Sequence, residues 1–465
     1  MKKVRPPIVT VLGHVDSGKT TLLDAIQSTN VQAREAGGIT QGIGASKVIS
    51  KSGFEITFID TPGHSAFEAM RSRGAEVADI AILVVAADDG VKPQTKEAIE
   101  HIKKADVPCI VAITKIDLAS ANTESVRGQL EKEGVFLEGR GGDVPVVEVS
   151  AKDKKGLIEL LEMIELVAQV KEVESDAESK FEAVVVETGK DKRGSLVTVV
   201  VRNGKLAVGE TVKAGNQTCK VKALFDYQQK SVREVLPGQA ALILGFGHLP
   251  AVGSPLAKSD VSEKSDRPEE KKETRSISKK GEVLVLIKAS NAGALEAVIQ
   301  NLPEKVQAIA GSVGEITDSD VFLAKASGAD IYAFEVKPAL QIRTLAKTES
   351  VKIYSFTIIY ELFDQLSQII ESKKVKVLGK AEIINIFPFN DKKIAGSRML
   401  EGEIDKNSKL SIYRGEEKIG EAKKILSLKK LREDVEKVSG GEEFGILFVP
   451  QLDFKKGDVI LSVAG

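Results

Sequence analysis

Residues 8–21 read IVTVLGHVDSGKTT, and the first domain can be worked out from this stretch. An apolar run leads into a glycine, after which residues 13–20 follow the pattern Gly, four variable positions, Gly, Lys and Ser or Thr. The backbone N–H groups of such a loop surround a polyphosphate, and the positive end of the next helix points at it. The stretch predicts a strand, a phosphate-binding loop and a helix start, with the site formed by Gly13, His14, Val15, Asp16, Ser17, Gly18, Lys19, Thr20 and Thr21.

Two side chains of this loop have separate predicted tasks. Lys19 brings a mobile cation to the terminal phosphates, and the hydroxyl of Thr20 holds a magnesium ion, Mg²⁺. A glycine-rich turn without a ligand is the alternative interpretation. The complete pattern between a strand and a helix favours the phosphate site.

Alternating strands and helices follow the loop. Short apolar runs at residues 54–59, 80–85, 109–114 and 144–149 are separated by polar helical segments. This alternation indicates a mostly parallel sheet with helices on both faces. Ligands of such sheets bind at the carboxyl ends of the strands.

A second motif, Asp60-Thr61-Pro62-Gly63, lies at the end of the strand predicted at residues 54–59. The Asp60 carboxylate can reach the magnesium ion through water, and the Gly63 N–H can reach the γ-phosphate. By itself the motif would be an ordinary turn. After a complete phosphate loop it predicts a sensor of the γ-phosphate.

Two further strand ends predict the base pocket. A carboxylate at Asp117 can accept hydrogen bonds from both N1 and N2 of guanine, which adenine does not offer, so the ligand is expected to be GTP or GDP. A backbone donor after the next strand would reach the guanine oxygen. The residues of this pocket are Thr114, Lys115, Asp117, Ser150, Ala151 and Lys152.

These elements, in this order, resemble the GTP-binding domain of the translational GTPases. Residues 13–16, 34–41 and 60–67 are most similar to the bacterial translation initiation factor 2 family. The resemblance implies that Thr40 closes on Mg²⁺ and the γ-phosphate, that residues 60–78 form a second switch, and that Val15 and Ile39 form an apolar gate. The chain corresponds to the core of that family without its long amino-terminal extension.

His64 is the candidate catalytic residue. Phosphoryl transfer to water needs the attacking water held in line, and a histidine just after the γ-phosphate sensor can hold it. The resemblance implies that it does so only when the ribosome positions it. A histidine that merely caps the following helix is the alternative.

Three positions depart from the family pattern. Ser17 and Gly42 stand where histidines are usual, and Thr114 replaces an asparagine of the base motif. Threonine can still supply one hydrogen bond to hold the loop, so we expect GTP binding to survive.

The remaining chain divides by its periodicity. Short strands with glycine turns predict an antiparallel β-barrel, a charged stretch predicts a linker, and a further β-pattern at the end predicts a second barrel. The segment between them predicts a small α/β/α sandwich followed by a helix, which is either a rigid strut or a buried core helix. The expected boundaries are 1–170 for the GTP-binding domain, 180–257 for the barrel, 258–280 for the linker, 281–357 for the sandwich, 358–374 for the connecting helix and 375–465 for the last barrel.

The resemblance implies that the last barrel binds the formylated methionine and acceptor end of initiator tRNA. Ser397 and Phe444 stand where cysteines are expected, and Lys430 where an arginine is expected, so the selectivity for the formyl group is open. The positions aligned with this pocket are Ser397, Lys429, Lys430, Glu443, Phe444 and Gly445.

Composition limits the alternatives. The 465 residues carry 66 Lys and Arg against 67 Asp and Glu, so the net charge of −1 gives no global attraction to nucleic acid. The two cysteines, Cys109 and Cys219, lie far apart and away from other metal ligands, which argues against a disulfide framework or a zinc site. No apolar run reaches the roughly 20 residues of a membrane span, so a cytoplasmic protein without a membrane partner is expected.

Together with these observations, the resemblance predicts a ribosome-activated GTPase that promotes initiator tRNA binding to the small subunit and joining of the large subunit. It would act as a monomer, with other initiation factors as further partners. Two alternatives stay open: a translational GTPase that delivers a special aminoacyl-tRNA, and a GTP-dependent switch that does not hydrolyse its nucleotide.

Overall fold

The computed structural model describes residues 3–27, 44–259, 283–373, 377–389, 392–415, 417–422, 424–431 and 433–463. Two compact units, Met1–Leu366 and Ser367–Gly465, divide the chain. The predicted fold class is confirmed in each of its parts, whereas the exact domain boundaries remain predictions.

The first domain is a six-stranded sheet in the order β3-β4-β2-β5-β6-β7, in which only β3 runs antiparallel to its neighbour. Its central strand, residues 80–86, is apolar and wholly buried, because helices cover both faces of the sheet. The strands are β1 (Lys3–Val4), β2 (Ile8–Gly13), β3 (Gly44–Ile49), β4 (Glu55–Asp60), β5 (Ile80–Ala86), β6 (Cys109–Thr114), β7 (Val146–Glu148) and β8 (Glu174–Ser175), of which β1 and β8 pair with each other. The helices are α1 (Lys19–Gln27), α2 (Glu68–Val77), α3 (Pro93–Ala105), α4 (Thr123–Lys132) and α5 (Leu157–Val170), with a short 3₁₀ helix at Ser65–Phe67.

The second domain is an antiparallel β-structure around an apolar interior that includes Val199, Leu206 and Ile243. Its last strand extends to Lys258, the first residue of the predicted charged linker, and residues 260–280 of that linker lie outside the described residues. The strands are β9 (Glu182–Asp191), β10 (Gly194–Asn203), β11 (Leu206–Ala207), β12 (Thr211–Ala214), β13 (Gln217–Lys220), β14 (Ala223–Phe225), β15 (Ser231–Val232), β16 (Glu234–Val235), β17 (Ala240–Leu244) and β18 (Pro255–Lys258).

The third domain has a parallel four-stranded sheet in the order β20-β19-β21-β22. Side-chain caps begin two of its helices, since Asn291 and Thr317 accept hydrogen bonds from backbone N–H groups of the first turns. The elements are β19 (Val283–Ala289), α6 (Ala292–Gln300), β20 (Val306–Val313), α7 (Asp318–Ser327), β21 (Asp330–Phe334), α8 (Leu340–Thr348) and β22 (Ile353–Phe356).

The helix α9 (Ile359–Lys373) follows this sheet. Ile359, Leu362 and Leu366 are fully buried, at the three- and four-residue spacing of one helix face. The first half of α9 is therefore part of the packed interior of the first unit. In the part of the chain that the structure describes, no helix combines the length and apolar character that a membrane crossing requires.

The second unit is an antiparallel barrel-like sheet with an apolar interior that includes Ile383, Ile412 and Ile446. Its strands are β23 (Val377–Phe389), β24 (Lys392–Asp405), β25 (Lys409–Arg414), β26 (Glu417–Ala422), β27 (Lys424–Lys430), β28 (Glu433–Asp434), β29 (Lys437–Ser439), β30 (Glu443–Val449) and β31 (Val459–Val463).

A buried carboxyl group connects two elements of the first unit. Glu187 of β9 accepts hydrogen bonds from the N–H of Thr188 at 2.8 Å and from the N–H of Gly293 at 3.3 Å, at the start of α6. Nearby, Arg73 of α2 forms an ion pair with Glu296 of α6. Burial raises the pKa of Glu187, although the backbone N–H groups and Arg73 oppose the shift.

Replacing Glu187 with glutamine is expected to raise the Tm at pH 8 and to change it less near pH 5. A carboxyl group whose pKa is raised by folding contributes its full stability below the unfolded pKa and loses it as the pH rises through the folded value. Thermal unfolding followed by circular dichroism at several pH values measures the difference. Glu182→Gln, at an exposed position of the same strand, is the matched control, and an unchanged or lower Tm for E187Q at pH 8 contradicts the prediction.

Candidate functional site

The predicted site residues converge at one edge of the six-stranded sheet. The register pairs Val11 with Asp60, Gly13 with Val84 and Ala86 with Thr114, so β2, β4, β5 and β6 end side by side. Because these strands are parallel, the loops that follow them all start at this edge.

The phosphate loop follows β2 directly and leads into α1, which begins at Lys19. Gly13 has a φ of +150°, and a Cβ atom at this position would lie 2.3 Å from the carbonyl oxygen of Val84. Gly18 has a φ of +89°. Both positions therefore need glycine, as a loop whose backbone surrounds a phosphate requires.

Lys19 is buried at the centre of this edge. Its Nζ donates to the carbonyl oxygens of Gly13 at 3.1 Å and His14 at 2.5 Å. Burial lowers the pKa of Lys19 to about 8, while the carboxylates of Asp60 and Asp16 act in the opposite direction. The ammonium group is thus held next to both carboxylates, where a phosphate could replace its carbonyl partners.

The two base-pocket loops are tied to each other and to the phosphate loop. Ser150 Oγ donates to Asp117 Oδ1 at 2.8 Å, and this hydrogen bond lowers the pKa of the exposed Asp117 carboxyl, with the charge of Lys152 adding to the effect. Thr114 Oγ1 donates to the carbonyl oxygen of Ser17 at 2.6 Å. Threonine therefore provides the single bond to the phosphate loop expected in place of the usual asparagine.

Lys115 and Ala151 are further residues of the two predicted base-pocket loops. Lys115 has a φ of 57°, and its Nζ lies 3.7 Å from Asp88 Oδ1. Ala151 directly follows the buried Ser150. The ionised Asp117 side chain is thus fixed by Ser150 at the open end of the edge.

The second-switch loop is held by an arginine that the motif did not predict. Arg71 of α2 is fully buried and donates to the carbonyl oxygens of Pro62, at 3.0 Å, and His64. Its Nε donates to Glu97 Oε1 of α3 at 3.0 Å. The sequence signal for a buried arginine is that Arg71 lies on the same helix as the small residues Gly74 and Ala75, one turn away.

The loop itself approaches the lysine closely. Thr61 is buried and its Oγ1 donates to the carbonyl oxygen of Val11 at 2.8 Å. A Cβ atom at Gly63 would lie 2.3 Å from Lys19 Nζ and 3.2 Å from the Val15 nitrogen. A side chain at position 63 would displace the end of the Lys19 side chain, and glycine brings the backbone next to the cation predicted for the terminal phosphates.

His64 is 7% exposed and acts here as a helix cap. Its Nδ1 accepts the N–H of Ala66 at 2.8 Å, at the start of the 3₁₀ helix. Burial lowers the pKa of His64, and the positive charge of Arg71 adds to the shift. The imidazole is therefore neutral at pH 7, and because Nδ1 accepts a hydrogen bond, the proton is on Nε2.

The predicted gate and first switch are only partly described. Ile39 and Thr40, with residues 34–42, lie outside the described residues. The backbone N–H of Val15 donates to Gln94 Oε1 of α3 at 2.9 Å. Gln94 is a second contact of the site that no motif indicated.

The donor set fits a hard cation. Asp60 ends β4, and Thr20 lies in the first turn of α1, so both offer oxygen atoms at the edge that carries the phosphate loop. Carboxylate and hydroxyl oxygens are the ligands that Mg²⁺ prefers beside a phosphate. Thr21, the next residue, continues the same turn.

A separate cavity of about 1090 Å³ lies in the second unit. Exposed aromatic side chains at Phe387 and Phe389 contribute to its wall, and Lys406 and Lys429 add positive charge. Five of the six residues predicted for the acceptor end of tRNA line it: Ser397, Lys429, Glu443, Phe444 and Gly445. Lys430 is not among the lining residues, and its Nζ lies 2.6 Å from Glu442 Oε1.

The register divides these residues between two faces of the sheet. Ser397 pairs with Phe444 and Ala395 with Ile446, and because side chains alternate, all four face the apolar interior. Gly445 and Lys429, which pair with each other, face the other side. The extra volume of Phe444 relative to cysteine is therefore taken up by the core of the sheet, and the glycine leaves the cavity open.

Separate parts of the chain match known protein families. Residues 5–170 match the elongation factor Tu GTP binding domain, residues 180–259 match elongation factor G domain 2, and residues 258–367 match translation-initiation factor 2. A solved structure of GDP-bound aIF5B from Aeropyrum pernix is 28% identical, over 99% of this chain and 92% of that one, with a TM-score of 0.46.

Two curated relatives cover almost the whole chain. Translation initiation factor IF-2 of Carboxydothermus hydrogenoformans is 43% identical over 98% of this chain and 59% of its own length. The same factor of Thermotoga sp. (strain RQ2) is 43% identical over 98% of this chain and 70% of its own length. The chain thus spans between about three fifths and seven tenths of these relatives, and it belongs to the translation initiation factor IF-2 family.

Proposed function

We propose that this protein is a ribosome-activated GTPase of translation initiation. It promotes binding of initiator tRNA to the small subunit and joining of the large subunit, and hydrolysis of GTP releases it. The observation that supports this most strongly is the edge of the sheet where Lys19, Gly63 and Asp117 follow adjacent strand ends. Membership of the IF-2 family supplies the ribosome and initiator tRNA as partners.

Different residues at this edge bind the base, the phosphates and the magnesium ion of GTP. The ionised Asp117, fixed by Ser150, accepts two hydrogen bonds from guanine. Backbone N–H groups of residues 13–18 and the Lys19 ammonium bind the phosphates. Thr20 and Asp60 hold Mg²⁺, with Asp60 acting through water and Thr40 completing the set. When bound, Mg²⁺ neutralises charge on the phosphate oxygens.

His64 holds the attacking water in line with the γ-phosphate. In the described conformation its Nδ1 is used by the Ala66 N–H, so the ring must turn or its loop must move before it can contact that water. Val15 and Ile39 close the approach until the ribosome binds. Hydrolysis by the isolated protein is therefore slow.

A GTP turnover assay with and without ribosomes tests the proposal. We expect a rate near 10⁻⁴ per second for the isolated protein and an increase by roughly three or more orders of magnitude with ribosomes, as for other activated GTPases. Initiator tRNA is added in a parallel reaction to test its participation. No increase with ribosomes would favour the alternative of a passive GTP-dependent switch.

The cavity of the second unit is proposed to bind the aminoacyl end of initiator tRNA. Its aromatic wall at Phe387 and Phe389 can pack against an apolar amino-acid side chain or a base. Lys406 and Lys429 can contact phosphate. Ser397 Oγ is buried beneath this cavity and has no hydrogen-bond partner among the described residues.

Formylated initiator tRNA is expected to bind more tightly than the unformylated form. A free α-amino group is partly charged near pH 7, and an apolar wall disfavours that charge, whereas a formamide is neutral. Filter-binding titration with both tRNAs measures the ratio of their affinities, and equal affinities contradict formyl selectivity.

Lys429→Glu is expected to weaken the binding of both tRNAs alike. It should also reduce the slope of log affinity against log salt concentration by about one.

With the ribosome as its partner, the protein is proposed to act in the cytoplasm as a monomer, together with other initiation factors.

A further inference from the structure

The ring of His64 is held between two aromatic side chains. Its centroid lies 4.1 Å from that of Tyr360, with the planes inclined at 60°, and 5.9 Å from that of Phe67 in an edge arrangement. Its Nδ1 is used by the Ala66 N–H, and its Nε2 is buried with no hydrogen-bond partner among the described residues. Neither ring nitrogen is therefore available to a water molecule in this conformation, since Nδ1 is hydrogen-bonded and Nε2 is buried.

Tyr360 does not have the position of a core residue. It is 49% exposed, whereas its neighbours on α9, Ile359 and Leu362, are fully buried and attach the helix to the interior. The charge of Asp16 in the phosphate loop contributes to raising the pKa of Tyr360, after the effect of burial. The phenol thus lies at the edge of the six-stranded sheet that carries the phosphate loop. The packing of α9 on the interior does not require a side chain at this place.

In the proposed function, His64 holds the attacking water. A side chain that holds an attacking water must direct a ring nitrogen at it. A close pair of aromatic rings in edge geometry is favourable beyond the area that it buries. Tyr360 therefore stabilises the ring orientation in which His64 cannot act.

We propose that Tyr360 is a positioning residue, which keeps His64 turned away from the attacking water until α9 moves relative to the phosphate loop. This inference rests on the proposed function, because it concerns the reaction that His64 is expected to support. It adds a residue of α9 to the control of hydrolysis in the first domain.

Tyr360→Ala tests the inference as a gain of activity. We expect the rate of GTP hydrolysis by the isolated full chain at saturating GTP to increase about 2- to 10-fold, with KM unchanged. This is the change in population that the loss of one favourable aromatic pair produces. Tyr360→Phe keeps the ring and should retain the slow rate. Phe322→Ala, which removes a similarly exposed aromatic residue (51%) from α7, is the matched control and should have no effect.

A double variant separates positioning from a structural effect. If Tyr360 acts through His64, Tyr360→Ala combined with His64→Ala should hydrolyse GTP no faster than His64→Ala alone. An increase that persists without His64, or an unchanged rate for Tyr360→Ala, overturns the inference. Circular dichroism and the Tm of each variant confirm that it is folded.

A spectroscopic readout does not depend on activity. The chain has four histidines, so the imidazole resonances in a ¹H–¹³C spectrum can be assigned by single replacements. We expect the His64 resonance to lose its ring-current shift in Tyr360→Ala and to keep it in Phe322→Ala. An unchanged His64 resonance overturns the inference. If instead the shift is lost but ribosome-stimulated hydrolysis is independent of His64, the proposed role of His64 has failed and the ring contact stands.

Discussion

Replacing His64 with alanine is expected to lower ribosome-stimulated GTP hydrolysis by roughly 10³-fold while nucleotide binding is retained. The imidazole is the group that can hold the attacking water, whereas the phosphates are bound by Lys19 and by the backbone of residues 13–18. Fluorescent-nucleotide titration and single-turnover hydrolysis with ribosomes measure the two properties separately.

His64→Asn is the matched control for the other role of this side chain. His64 caps the 3₁₀ helix at Ser65–Phe67, and the asparagine side chain is a good substitute as a cap but does not supply an imidazole. We expect the asparagine variant to keep the wild-type Tm and to be as slow as the alanine variant. A wild-type rate in His64→Asn would show that capping, and not the imidazole, is what hydrolysis requires.

Asp117→Asn is expected to weaken GTP binding by at least about 100-fold and to create affinity for xanthosine triphosphate. Guanine offers two donors, N1–H and N2–H, to the carboxylate. An asparagine still accepts the Ser150 hydroxyl on Oδ1, as Asp117 does at 2.8 Å, but its NH₂ group then meets the N2 donor of guanine. Xanthine has a carbonyl oxygen at that position and removes the conflict.

Titration of each variant with both nucleotides measures this exchange of specificity. Asp153→Asn is the matched control. Asp153 is an exposed residue of the loop that carries Ser150, and its backbone N–H donates to Ser150 Oγ at 3.0 Å. This control variant should leave both affinities unchanged. If Asp117→Asn binds GTP as tightly as the wild type, Asp117 does not contact the base.

Most of the nucleotide edge could be predicted because its motifs are local. Gly13 and Gly18 have backbone conformations that favour glycine, Gly63 allows a close approach to Lys19, and the apolar runs before each motif indicate the strands that place them. The connection rules of parallel α/β sheets limit the possible strand orders, and the structure shows which one is adopted. Ile39 and Thr40 lie outside the described residues, so their roles remain predictions.

The barrel cavity shows where local prediction stops. Alignment with the family placed Ser397 and Phe444 in one pocket with Gly445, and all three line the cavity, but strand alternation turns the side chains of Ser397 and Phe444 towards the core. Lys430 also pairs with Glu442, although its neighbour Lys429 lines the cavity. A face of a strand is fixed by register, and register depends on the pairing of distant segments.

By itself, the sequence predicted the phosphate loop, the proposed γ-phosphate sensor, the carboxylate proposed to bind guanine, and the alternation of strands and helices. Each depends on residues a few positions apart, whose backbone conformation or hydrogen-bonding chemistry has few solutions. Only the tertiary structure decided that Arg71 holds the second-switch loop, that Gln94 contacts Val15 and that Tyr360 packs on His64. These contacts join elements far apart in the chain, and side-chain packing between them leaves no period or spacing in the sequence.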